Sequence, residues 1–176
     1  MLGRVSQPFP EPTVPVASRA DVLAGYLEYF RSRVIEKIEG MTGHELRRSR
    51  LPSGWTPIEL LKHLTYDELR WLEWRFEGRD VADPWGDNRN GRDSCWYVAD
   101  EETFGDLVAA MNAQAVRSRA IIETNDLSQL GRPGPGWDGA EPPTLERVLL
   151  HLIQEYARHL GHLDVVAELA DGQVGE

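Results

Sequence analysis

The last third of the chain carries an uninterrupted helical pattern from Thr144 to Gly172, and what this pattern turns inward limits the fold more than anything else in the sequence. Stepping about 100° per residue from Val148 brings Leu145, Leu152, Leu163 and Val166 within about 60° of it, which defines a buried stripe. Glu155, His159 and His162 fall within about 40° of the same reference. Three ionisable side chains are therefore aimed at a core in which an unpaired charge is expensive. Glu155 and His159, one turn apart, can share a metal ion, because side chains at i and i+4 project side by side and both offer lone pairs. The same pair can instead close a buried polar network in which the carboxylate holds the imidazole. A third ligand from another element would favour the metal.

The rest of the chain supplies the elements for a bundle. From Ser18, a suitable N-cap, residues Arg19 to Glu39 place Val22, Leu23, Tyr26, Leu27, Phe30, Val34, Ile35 and Ile38 at helical spacing, and Gly40 stops the run. His44 and Glu45 suit a short helical piece in the turn that follows. Thr56-Pro57-Ile58-Glu59 then combines a capping threonine, a proline at the first helical position and a glutamate at the third, so a second helix starts here and runs to about Glu77. A third is expected from about Glu101 to Thr124. Arg79 to Ala99 is a long polar connection with Trp85, Trp96 and Tyr97 as anchors, a length that suits a pocket cover. Leu130 to Pro143 is a second irregular connection around Trp137. The expected class is all-α, a four-helix bundle with its long connection between the second and third helices. Residues 1–17, with prolines at 8, 10, 12 and 15, read as an extended arm ahead of one domain over 18–176.

Bundle cores are where facing helices build metal sites. His63 lies on the margin of the apolar face of the second helix, with Asp67 one turn on as a support for its ring. His63, Glu155 and His159 would leave a coordination position for water or substrate, as catalytic rather than closed zinc sites do.

The run Pro52 to Leu64, followed by Glu68 and Trp71, resembles the matching region of the DinB/YfiT-like superfamily. The run Arg147 to Asp164, together with the Asp171-Gly172-Gln173 ending, resembles its actinobacterial branch related to mycothiol-dependent maleylpyruvate isomerase. The resemblance implies a divalent ion, zinc or nickel, at His63, Glu155 and His159. It also implies a low-molecular-weight thiol such as mycothiol as co-substrate and a small electrophile as its target. Many members carry three histidines; Glu155 stands at one of those positions here, and His162 stands where a glutamine would follow. His162 is then a candidate for orienting a ligand or for carrying a proton, and His151 a supporting residue.

A formal charge of −10 opposes nucleic-acid binding, since Arg47, Arg48 and Arg50 are the nearest approach to a basic patch. No apolar run reaches membrane-spanning length and no secretory signal is evident, so a cytoplasmic protein is expected. The single Cys95 excludes an internal disulfide and suits a reducing compartment. Amphipathic helices and a proline-rich arm are compatible with a homodimer. Two functional classes stay open: a metal-dependent thiol transferase or isomerase, and a non-enzymatic metal-binding or stress-linked protein of the same fold. A metal-free bundle with an inner polar network stands behind them.

Overall fold

A computed structural model describes residues 18–171, so the expected proline-rich arm lies outside the described residues. Four long helices follow in order: α1 (Arg19–Glu39), α3 (Pro57–Glu68, continued by Leu69–Phe76), α4 (Phe104–Thr124) and α5 (Leu145–Asp171), with a one-turn helix α2 (Gly43–Leu46) after α1. Among the described residues there is no strand, only isolated bridges such as Asn88 with Trp96 and Leu130 with Thr144. The class and the long connection therefore agree with the sequence.

Local chemistry explains each start. Ser18 Oγ accepts the Asp21 amide at 3.2 Å. Glu59 Oε2 accepts both the amide and the hydroxyl of Thr56 at 2.9 Å, which satisfies the exposed start of α3. α4 begins later than expected, at Phe104, because Thr103 and Asp106 form a capping box there. The expected second helix is not α-helical throughout: Leu69–Phe76 is π-helix, and the Glu77 amide reaches back five residues to the Leu72 carbonyl at 3.0 Å.

α1 packs against α5, and α3 against both α4 and α5. Leu27, Val34 and Ile38 of α1, Leu60, Leu61 and Leu64 of α3, Met111 of α4, and Leu145, Leu149 and Leu152 of α5 share one core. Inside it lies a polar cluster to which every long helix contributes. The Glu68 carboxylate accepts from Arg31 Nε at 2.6 Å and Nη2 at 2.8 Å, from Tyr156 Oη at 2.6 Å, and from Ser118 Oγ at 2.6 Å. Glu68 is 1% exposed and Tyr156 0%. Burial would lower the Arg31 pKa, but the Glu68 carboxylate outweighs it and holds the guanidinium firmly charged. Burial and then the Glu68 charge push the Tyr156 phenol well up, so it stays a donor. A buried carboxylate with this many donors is satisfied and fixes the relative registers of the helices.

The two connections are tied to the π-helical segment. Arg75 Nε donates to the Gly136 carbonyl at 2.9 Å, and its guanidinium lies over Trp71 at 4.1 Å. Trp74 meets Trp85 of the long connection edge-on at 6.2 Å. Gly86 sits where an added Cβ would come within 2.5 Å of the Tyr66 hydroxyl. Arg92 and Asp138 join the two connections directly at 2.7 Å.

Candidate metal and thiol site

α3 and α5 bring His63 and His159 together, with ring centroids 5.2 Å apart and the planes nearly perpendicular. Glu155, one turn before His159 on α5, puts Oε2 3.4 Å from His159 Nε2. Two donors on one zinc ion, each about 2.0–2.1 Å from it and tetrahedrally disposed, stand about that far apart. Glu155 is 8% and His159 7% exposed, so both occupy the buried stripe that the periodicity indicated. Burial first, then the neighbouring His63 and Arg158, lowers the His159 pKa to about 4. The ring is therefore neutral at pH 7, the ligand-competent form. Its Nδ1 is buried without a hydrogen-bond partner.

His63 is oriented by the long connection. Its Nδ1 donates to Asp87 Oδ2 at 2.9 Å, which leaves Nε2 as the lone-pair nitrogen of the neutral ring. Asp87 is 1% exposed and also accepts from Arg70 Nη1 at 2.6 Å. Burial pushes the Asp87 carboxyl up, but the His63 and Arg70 hydrogen bonds outweigh it and hold the group below the usual carboxylate range. Asp67, expected to support His63, lies 3.5 Å from Nε2 and is gripped by Arg70 Nη2 at 2.8 Å. The ring of Trp96, also from the connection, stacks on His63 at 4.0 Å with 21° between planes and meets His159 at 5.4 Å. The long connection thus covers the site, as its length suggested.

The remaining expected residues occupy the open edge of the α5 stripe. His162 is exposed rather than inward, although its ring stands 5.5 Å from that of His159. It shares that edge with Arg158, half exposed, and with His151, whose Nε2 is 3.9 Å from Glu155 Oε1 and whose ring lies over Trp71 at 4.1 Å. The wheel counts angle alone and does not record which edge of a stripe the neighbouring elements cover. Burial lowers the His151 pKa, with Glu155 opposing it. His44 is exposed, and Cys95 is an exposed free thiol.

The donor chemistry fits a divalent ion, though the cage is not closed. Among the described residues no three His, Cys, Asp or Glu side chains are grouped so as to hold a metal. Two contacts keep the set apart: Arg158 Nη2 grips Glu155 Oε2, and Asp67 faces His63 Nε2. Arg158 is half exposed, so its side chain has room to swing into solvent, and a bound cation would replace its charge beside the buried carboxylate.

A model of the family described as mycothiol-S-transferase matches residues 22–172, nearly the whole of the described bundle. The chain belongs to the mycothiol-S-transferase family. This family lies within the DinB-like superfamily, in agreement with the motifs on α3 and α5. No curated protein sequence matches the chain. A crystal structure of a conserved protein from Enterococcus faecalis is similar to it, with a TM-score of 0.59 and 16% sequence identity over 90% of this chain and 100% of that one. At such identity the likeness concerns the fold alone. Family membership brings a small-molecule thiol as partner, and thiol-related transfer as the class of activity. No helix among the described residues is long and apolar enough to cross a membrane.

Sequence reasoning did not find Asp87 or Arg70, and it read Trp96 as an anchor of the connection without placing it against the imidazoles. Asp87 is one of five aspartates between residues 80 and 100, and no periodicity distinguishes it. The one available signal was the length of the connection itself.

Proposed function

We propose that the protein transfers mycothiol, or a similar low-molecular-weight thiol, to a small electrophile, with zinc or nickel held by His63, Glu155 and His159. By reversible addition to an unsaturated substrate the same site would act as an isomerase. The observation that carries this reading is the pairing of two presented imidazoles, His63 locked by Asp87 and His159 kept neutral by burial, with the Glu155 carboxylate 3.4 Å from His159. A divalent ion at these residues would acidify a coordinated thiol, so that thiolate is present at neutral pH. Asp87 holds the His63 ring and its tautomer, and Trp96 shields both imidazoles from water. His162, exposed and next to His159, takes the thiol proton and passes it to solvent. In the transfer the thiolate sulfur bonds to the electrophilic carbon as the leaving group departs with its electron pair. A reducing cytoplasm is the compartment in which such a thiol is available.

The test is elemental analysis of untagged protein, followed by conjugation of mycothiol to 1-chloro-2,4-dinitrobenzene. The expected result is about one zinc or nickel per chain, lost in His63→Ala and Glu155→Ala together with turnover. Metal without turnover would leave the non-enzymatic metal-binding reading. A chain that stays metal-free after reconstitution would overturn the three-residue site.

A further inference from the structure

A cavity of about 510 Å³ opens between the start of α3 and the long connection, lined among others by Trp55, Glu59, Arg89, Ser94 and Trp96. Trp96 is shared with the candidate site. Its ring stacks on His63 at 4.0 Å and also meets Trp55 at 6.2 Å, so the cavity lies one aromatic ring away from the imidazoles. The lining is amphipathic. Two indoles offer apolar faces, while the polar groups are a guanidinium, a carboxylate and hydroxyls. Arg89 is held over the Tyr97 ring at 4.2 Å, and no ion pair with a carboxylate engages it among the described residues. Glu59 uses Oε2 for the helix cap, and its second oxygen takes no part in that cap.

Flat apolar walls bordered by forked donors and acceptors match a small ring whose C–H faces are apolar and whose edge is hydroxylated. Mycothiol is N-acetylcysteine joined by an amide to an amino sugar that carries a cyclitol. Its thiol end belongs at the imidazoles, and its polyol end needs a site of this chemistry close by. We infer that the Trp55–Arg89 cavity binds the sugar–cyclitol half of the thiol and sets specificity for it, an inference that rests on the thiol reading given above. Trp55 and Trp96 supply the stacking walls, and Arg89 and Glu59 supply the hydrogen bonds to ring hydroxyls. A cavity of this volume is large enough for two linked six-membered rings. A second cavity, of about 580 Å³ near Ser18, Asn125 and Glu146, is a poor alternative. It has no aromatic wall, shares no residue with the candidate site, and its Arg19 is neutralised by Glu146 at 2.7 Å.

The experiment is calorimetric titration of metal-free protein with S-methyl mycothiol, which cannot form a thiolate, against S-methyl-N-acetylcysteine, which lacks the polyol. Wild type is expected to bind the first at least ten-fold more tightly than the second. Arg89→Ala, a change at an exposed residue, should remove most of that difference. Trp55→Ala should do the same, with a thermal melt to confirm that it is folded. Glu155→Gln should keep the difference, because the polyol half does not depend on the metal residues. Equal binding of the two thioethers by wild type would overturn the inference, as would an unchanged difference in both cavity variants or its loss in Glu155→Gln. The metal reading fails separately: a chain that never takes up metal yet discriminates between the thioethers refutes the site at His63 and leaves the cavity assignment standing.

Discussion

Removing Arg31 should be among the most damaging single changes in this bundle. Its guanidinium supplies two of the four hydrogen bonds that reach the Glu68 carboxylate, at 2.6 and 2.8 Å, and Glu68 is only 1% exposed. Arg31→Met keeps the apolar stem of the side chain but leaves a buried carboxylate with only the Tyr156 and Ser118 hydroxyls. Breaking one partner of a buried pair typically costs about 3–5 kcal/mol. Tyr156→Phe removes a single hydrogen bond to a charged acceptor and should cost about 1.5–3 kcal/mol. Against a total stability of about 5–15 kcal/mol these are large fractions. For a domain of this size Arg31→Met corresponds to a melting temperature lower by about 6–20 °C. Replacing both partners, Arg31→Leu with Glu68→Leu, should cost much less than either alone, because no charge is then left buried. Urea unfolding followed by circular dichroism reads all three variants. The reasoning fails if Arg31→Met loses less than about 1 kcal/mol, or if the double replacement is worse than the single.

Asp87→Asn should weaken metal binding by about 10–100-fold, because the amide no longer fixes the His63 tautomer; competition with a chromophoric chelator measures it, and unchanged affinity refutes the role. In metal-free protein the His159 pKa of about 4 lies below the unfolded value, so the unfolded chain binds more protons between pH 6.5 and 4. The contribution of neutral His159 is complete above pH 6.5 and declines as pH falls toward 4, by at most about 3 kcal/mol. His159→Gln should flatten that part of the urea-melt pH profile, and an unaltered profile counts against it. Gly86→Ala forces a Cβ against the Tyr66 ring, so residues 77–103 should become faster to cleave in limited proteolysis, with Tyr66→Leu restoring resistance.

The helices were legible because their signals are local. Capping residues such as Ser18 and Thr56 and an apolar repeat of 3.6 depend only on neighbours in sequence. Glu155 and His159 were legible for the same reason, as a pair one turn apart on a strongly periodic helix. His63 was legible only as a marginal residue, because what fixes its ring comes from Asp87, 24 positions away in an irregular connection. The Glu68 cluster was equally hidden: Glu68 drew notice in a motif, but Arg31 and Ser118 look like residues of ordinary helix surfaces until the bundle closes on them. His162 went the other way, inward by angle and exposed in space.

The π-helical segment Leu69–Phe76 makes residue count itself a design variable. An α-helix advances about 1.5 Å and turns about 100° per residue, whereas a wider turn absorbs an additional residue without moving what lies on either side. Deleting one residue here would restore the narrower winding and rotate the departure of the long connection around the helix axis. Asp87 and Trp96 would then arrive displaced from His63 even though neither had been altered. Substitutions within the connection should therefore be tolerated far better than a one-residue deletion in the helix that launches it.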